Sequence, residues 1–176
     1  MTEKLISSKD VFKGRSVRLR IATIMKPSGA QAEREIVEHN DCIAVVPIDQ
    51  DNNVILVKQF RTPTGKILLE IPAGSIEAGE DPEECVRREL QEEIGYLPET
   101  IIKLGGVYAA PGYCTEYLYL YLARNLKESR LVAEDTDEIE IVRVPLTEIP
   151  ELIKTGQICD GKSVSGLLRV IMEQPG

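Results

Sequence analysis

From residue 80 to residue 93 the chain reads Glu-Asp-Pro-Glu-Glu-Cys-Val-Arg-Arg-Glu-Leu-Gln-Glu-Glu, seven carboxylates against two guanidiniums. The spacing predicts a helix. Asp81 suits the N-cap, Pro82 the first helical position and Glu84 the returning carboxylate of a capping box. Gly95 supplies a left-handed stop. Val86, Leu90 and Ile94 recur every fourth position as a core stripe, which puts Glu89, Glu92 and Glu93 together on a neighbouring face. Arg88 can reach Glu84 or Glu92 and Arg87 can reach Glu83, yet a surplus of negative charge remains. Crowded carboxylate oxygens are hard ligands, so they suit Mg2+ or Mn2+ better than zinc or copper. A solvated glutamate-rich face is the plain alternative for the helix alone. The loop before it, residues 72–80, carries two glycines and leads from a strand into the helix, which brings backbone carbonyls beside the carboxylates. A second acidic segment, residues 134–140, holds five acids in seven positions and by its composition reads as an acidic turn exposed to solvent.

The rest of the composition narrows the class. The chain has 176 residues, 43% apolar and 28% charged, with 21 Lys+Arg against 29 Asp+Glu for a net charge of −8. This is the profile of one soluble globular domain able to bury a core without disulfides. A net acidic chain is a poor match to nucleic acid or to an anionic membrane surface, both of which call for a basic face. The four cysteines form no CxxC pair and His39 is the single histidine, so a zinc centre is not expected. The apolar run 42–48 falls far short of the ~18 residues of a membrane helix, and no early segment has signal-peptide order, so a cytoplasmic location is expected.

Around the acidic helix, apolar patterning predicts the elements that must hold it. Residues 17–22 alternate as a strand with one wet face. Residues 42–48 and 54–60 are β-branched runs separated by 49–53 and read as a hairpin of buried strands. A short strand over 67–71 is closed by Pro72 and Gly74. Further strands are expected near 104–108, 117–122 and 139–144, and helices over 146–154 and 163–173. Strands mixed with few helices indicate an α/β sandwich around a mixed sheet.

Residues 74–96 resemble the Nudix hydrolase signature, GX5EX7REUXEEXGU, at every fixed position: Gly74, Glu80, Arg88, Glu89, Leu90, Glu92, Glu93, Gly95 and Tyr96. The resemblance implies an α/β/α sandwich around a mixed β-sheet, over residues 41–176, preceded by an N-terminal antiparallel strand region over 1–40. It implies Mg2+, with Mn2+ able to substitute, held by Glu89 and Glu93, by Glu92 directly or through water, and by the carbonyl of Ala73. Glu80 and Arg88 become the pair that ties loop to helix, although a first-turn acid favouring the helix dipole also explains Glu80.

Other segments resemble the ADP-ribose pyrophosphatase subfamily. Pro111 lies sixteen positions after Gly95, and residues 57–61 (Val-Lys-Gln-Phe-Arg), 69–74 (Leu-Glu-Ile-Pro-Ala-Gly), 34–39 and 158–163 are similar to stretches of that group. The likeness spans about 14–167 and implies hydrolysis of ADP-ribose to AMP and ribose 5-phosphate. GDP-mannose or a related nucleoside diphosphate sugar, a nucleoside triphosphate, and a catalytically silent nucleotide- or protein-binding domain are the alternatives. By resemblance Arg61 binds phosphate, Glu70 either binds substrate or anchors the metal loop, and Pro111 and Tyr113 line the substrate pocket. Stacking on the base falls to Phe12, Phe60, Tyr108 or Tyr113, and His39 is structural. The family's mobile acidic loop corresponds to 134–140, where Glu138 is favoured as general base ahead of Asp137 and Glu134. Glu138 stands where the subfamily has an apolar residue, so the alternatives stay open. The family also implies a homodimer whose N-terminal strands help build the partner's pocket.

Overall fold

The computed structural model describes residues 2–133 and 139–173. Ten strands and three α-helices follow in the order β1 (Lys4–Lys13), β2 (Val17–Met25), β3 (Gln31–His39), β4 (Cys42–Pro47), β5 (Asn53–Arg61), β6 (Lys66–Glu70), β7 (Ala73–Ser75), α1 (Pro82–Glu93), β8 (Tyr96–Tyr108), β9 (Tyr117–Glu128), β10 (Glu140–Pro145), α2 (Ile149–Lys154) and α3 (Gly161–Glu173). A 3-10 turn, Leu146–Glu148, leads into α2. The chain divides into two compact units, one formed by Met1–Asp41 with Tyr108–Tyr117 and the other by Cys42–Val107 with Leu118–Gly176.

The second unit holds the acidic helix. Its four-stranded sheet runs β7-β4-β9-β8, with β4 parallel to β9 and antiparallel to β7, and a three-stranded sheet runs β10-β5-β6. Every residue of β4 is buried, which explains its unbroken apolar run: both faces are covered. Ala44 and Val46, with Leu120 and Leu122 of β9, pack toward Ile149, Leu167 and Val170 of α2 and α3. The alternate residues Ile43 and Val45, with Tyr121 and Ala123, pack toward Cys85, Val86, Leu90 and Ile94 of α1. The period of two thus sends one strand into two apolar layers, and the result is an α/β/α sandwich around a mixed sheet. Each fully buried Leu, Ile or Val contributes roughly 1.5–3 kcal/mol to holding α1 against the sheet.

Two sequence expectations need correction. The runs 42–48 and 54–60 are both buried strands, but they do not form a hairpin ladder: β4 pairs with β7 and β9, β5 with β6 and β10, and a single bridge, Ile48 to Val54, joins them. The link turns on Asp49, whose Oδ1 accepts the N–H groups of Asp51 (3.0 Å) and Asn53 (2.8 Å), with Asn52 at φ +62°. That turn redirects the chain from one sheet into the other. The expected helix over 146–154 divides into the 3-10 turn and α2. Among the described residues, no helix is long and apolar enough to cross a membrane.

The first unit is built on an antiparallel sheet, β1-β2-β3, in which β2 lies between the others. The strand expected at 17–22 is the first part of β2, whereas β1 and β3 carried no alternation. β1 is exposed along its whole length, so neither face selects apolar residues.

Candidate active site

α1 begins where its sequence says it should. Asp81 Oδ1 accepts the N–H of Glu83 at 2.8 Å, Pro82 opens the helix, and Gly95 follows the last turn at φ +79°. Glu84 faces Arg87 at 3.9 Å, and Arg87 donates to the backbone carbonyl of Glu83 rather than to its carboxylate.

Arg88 organises the acidic face. Its Nε and Nη2 donate to Glu80 at 2.8 and 3.0 Å, while Nη1 donates to Glu89 at 2.7 Å and to Glu92 at 3.2 Å. Nη2 also reaches the carbonyl of Ser75 at 3.2 Å, and Glu80 Oε2 accepts the N–H of Glu77 at 2.8 Å. One guanidinium therefore ties the glycine loop to the helix. The bidentate bond from Arg88 holds the Glu80 carboxyl below its ordinary range.

Gly74 is required by close approach. A Cβ built there would stand 1.9 Å from the carboxyl carbon of Glu89, a side chain already fixed by Arg88. Beside it, Ala73 pairs with Ala44 and donates its N–H to Glu93 Oε2 at 3.2 Å. Glu93 is the deepest acid of α1, with 8% of its surface exposed. Burial, and then the charge of Glu89, push its carboxyl up to about 8, against the pull of the Ala73 N–H and of Arg61 and Lys162. Burial likewise raises Glu89, with Arg88 opposing. Three carboxylates, Glu80, Glu89 and Glu92, thus share one close guanidinium, and Glu93 beside them has the Ala73 N–H for its hydrogen-bond partner. A set made only of carboxylate oxygens and a neighbouring backbone carbonyl, under-compensated in this way, fits a hard divalent cation.

A second cluster stands behind Glu93. Arg61, at the end of β5, grips Glu70 in a fork, Nε to Oε1 at 2.9 Å and Nη2 to Oε2 at 2.6 Å. Glu70 is 1% exposed, and Lys162 of α3 donates to the same Oε2. Burial alone would raise the Glu70 carboxyl, but Arg61 and Lys162 outweigh it and hold it below its ordinary value. Neither spacing nor resemblance assigns a role to Lys162 or Ser163. The segment 158–163 stood out as a stretch similar to other proteins, but nothing in its spacing tied it to Glu70.

Pro111 and Tyr113 lie in the first unit, on a turn in which the N–H groups of Tyr113 and Cys114 donate to the carbonyl of Ala110 at 3.1 and 2.8 Å, and Val37 donates to the carbonyl of Tyr113. Tyr113 is exposed, and Tyr108 meets Tyr117 edge-on at 5.0 Å. Glu134, Asp137 and Glu138 lie outside the described residues.

Comparison with known proteins agrees with this geometry. Residues 38–165 match the model of the NUDIX domain. The chain is 38% identical over 164 residues to the methanol dehydrogenase activator of Bacillus methanolicus, spanning 92% of this chain and 89% of that one. It is 34% identical over 166 residues to the ADP-ribose pyrophosphatase of Bacillus subtilis, spanning 93% and 89% of the two chains. With the GDP-mannose pyrophosphatase of Yersinia enterocolitica it shares 33% over 147 residues, or 78% and 76%. A crystal structure of an ADP compounds hydrolase superposes with a TM-score of 0.90 over 98% of this chain and 94% of that one, at 23% identity, a likeness of fold. With its acidic helix, glycine loop and sandwich accounted for, the chain belongs to the Nudix family and is a Nudix hydrolase.

Proposed function

We propose that this hydrolase cleaves the pyrophosphate bond of ADP-ribose to give AMP and ribose 5-phosphate, with Mg2+ as cofactor and Mn2+ able to replace it. The observation that carries the reading is the buried, under-compensated set of Glu89, Glu92 and Glu93 against the backbone of Ala73. Glu89 and Glu93, with Glu92 directly or through water and the carbonyl of Ala73, would hold the cation. A cation held there would supply the positive charge that makes a water more acidic and that offsets the charge of phosphate oxygens. Arg88 keeps Glu89 and Glu92 turned toward that position and holds the loop closed through Glu80. Arg61 uses Nε and Nη2 on Glu70 and keeps Nη1 for a phosphate oxygen. Full burial of Glu70 supports its role as an anchor behind Arg61 rather than a substrate ligand. By family resemblance the attacking water gives its proton to the acidic loop, to Glu138 ahead of Asp137 and Glu134, and Pro111 and Tyr113 border the nucleotide.

Two features favour ADP-ribose: the position of Pro111 and the 34% identity, over most of both chains, to an enzyme named for that activity. The second reading, a GDP-mannose-type sugar, is favoured by the Yersinia relative. Incubation with ADP-ribose, GDP-mannose and dGTP in Mg2+, followed by product separation, tests the choice. AMP and ribose 5-phosphate formed fastest from ADP-ribose is the expected result. GDP-mannose cleaved faster would move the assignment to that sugar nucleotide, and turnover of dGTP alone to triphosphates. No turnover of any would leave a silent binding domain.

The same reading takes residues 1–40 as a strand region distinct from a hydrolase domain over 41–176, and the working protein as a homodimer. Exposed Leu5, Val11 and Phe12 on β1, a strand with one edge unpaired in its sheet, support this. A dimeric mass by light scattering, lost when residues 1–13 are removed, is the expected outcome.

A further inference from the structure

The corner between β6 and β7 delivers Ala73 to the acidic helix, and it is held from three sides. Ile71 donates its N–H to Ser163 Oγ of α3 at 2.9 Å, Val45 of β4 donates to the carbonyl of Pro72 at 2.9 Å, and Ala73 donates to Glu93 of α1 at 3.2 Å. Ile71 and Ser163 are both fully buried. One turn further along α3, Gly166 leaves room for Ile71: a Cβ there would stand 3.0 Å from Ile71 Cδ1. The residue before the corner is gripped from the same helix. Lys162 Nζ donates to Glu70 Oε2 and, at 2.9 Å, to Asp160 Oδ1, which also accepts the N–H of Ser163 at 3.1 Å. A single carboxylate oxygen therefore caps α3 and holds Lys162. The other oxygen, Asp160 Oδ2, is buried with no hydrogen-bond partner among the described residues. A cluster shaped for stability alone would pair it.

We propose that Ser163 and Lys162 are positioning residues of the metal loop: from the first turn of α3 they fix Ile71 and Glu70, and through them set the backbone of Ala73 against Glu93. The inference rests on the metal site proposed above. Pro72 is the link that makes it work. Its ring fixes φ, so a displacement of Ile71 passes to Ala73 as a rigid shift instead of being absorbed by the corner. Without the Ser163 hydroxyl the Ile71 N–H is left buried and unpaired, and the corner must move to satisfy it. Without Lys162, the β6 end keeps Arg61 but loses its tie to α3. Neither side chain hydrogen-bonds a proposed metal ligand, and the Lys162 charge that acts on Glu93 opposes a cation there, so weaker metal binding on its removal is transmitted through the backbone.

The test uses the full chain with Ser163→Ala, Lys162→Met and Lys162→Arg, measuring Mn2+ binding by calorimetry without substrate and steady-state ADP-ribose hydrolysis at saturating Mg2+. Ser163→Ala and Lys162→Met should each weaken Mn2+ affinity and lower kcat by about tenfold or more, as lost supporting partners do, with KM changed less than about twofold. Lys162→Arg should recover most of both. A raised KM for Lys162→Met with kcat and Mn2+ affinity intact would make Lys162 a substrate ligand and overturn the proposal. A lowered Tm with unchanged Mn2+ affinity and kcat in both variants would reduce the pair to fold maintenance and overturn it equally. The calorimetry does not depend on substrate, so wild-type protein that binds Mn2+ but leaves ADP-ribose intact would fail only the substrate assignment. Should Ser163→Ala not fold, Lys162→Met carries the test from a partly exposed position.

Discussion

Replacing Glu93 by glutamine should make the metal-free protein more stable while removing most of its activity. The folded protein holds the Glu93 carboxyl at about 8 against its ordinary 4.5, through burial and the neighbouring Glu89. A carboxyl raised on folding contributes its stability fully below the unfolded value, and that contribution is lost as pH rises through the folded value. The linkage amounts to about 3 kcal/mol at pH 7 and about 5 kcal/mol well above pH 8. Glutamine keeps the acceptor for the Ala73 N–H and removes the ionisation, so the variant should recover up to about 3 kcal/mol at pH 7, or roughly 6–12 °C in Tm for a chain of this size. Scanning calorimetry in EDTA between pH 4 and 9 reads this directly: the two proteins should melt together near pH 4 and separate as pH rises. Added Mg2+ should then stabilise the wild type more than the variant. A variant no more stable than the wild type in EDTA at pH 7 would refute the electrostatic reasoning. Near-normal kcat of Glu93→Gln at saturating Mg2+ would refute the metal assignment.

Three further outcomes are expected. Arg88→Met leaves Glu80, Glu89 and Glu92 without their shared partner and should cost about 3–5 kcal/mol in urea denaturation, whereas a loss under about 1 kcal/mol would mean the loop is held by something else. Gly74→Ala places a Cβ in the space of the Glu89 carboxylate and should weaken Mn2+ binding by about tenfold or more in calorimetry; unchanged affinity would show that Glu89 can step aside. Arg61→Lys keeps the charge but loses the fork onto Glu70, so KM for ADP-ribose should rise about tenfold, and an unaltered KM would remove Arg61 from the phosphate site.

The acidic helix was legible in the sequence because its signals are local. Asp81, Pro82 and Gly95 mark its ends, and the four-residue recurrence of Val86, Leu90 and Ile94 fixes which face is buried. The partners of β4 and β5 were not legible. Strands buried on both faces read as unbroken apolar runs, and such runs name no neighbour. β1 escaped for the opposite reason, since a strand exposed on both faces shows no alternation either. The tie from Lys162 to Glu70 joins residues 92 positions apart through one contact, and no periodicity carries that information. The sequence alone thus left Glu70 divided between substrate and anchor; its burial, with Arg61 on both oxygens, is a fact of packing.

The acidity of the chain follows a division of labour between folding and binding. Residues 80–93 and 134–140 each carry a net charge of −5, so the remaining 155 residues sum to +2. Within the first segment the compensation is uneven. Arg88 lies against Glu80, Glu89 and Glu92, which closes the loop on the helix with no cation present. Glu93, the most buried acid of that segment, has a backbone N–H for a partner, and the positive charges that act on it, Arg61 and Lys162, are bound to Glu70. Were Arg88 shared equally by all four carboxylates, no single position would favour a cation strongly over water. By leaving one deep carboxylate short of charge beside a fixed backbone, the fold stays closed when empty and places its strongest demand for positive charge at one point.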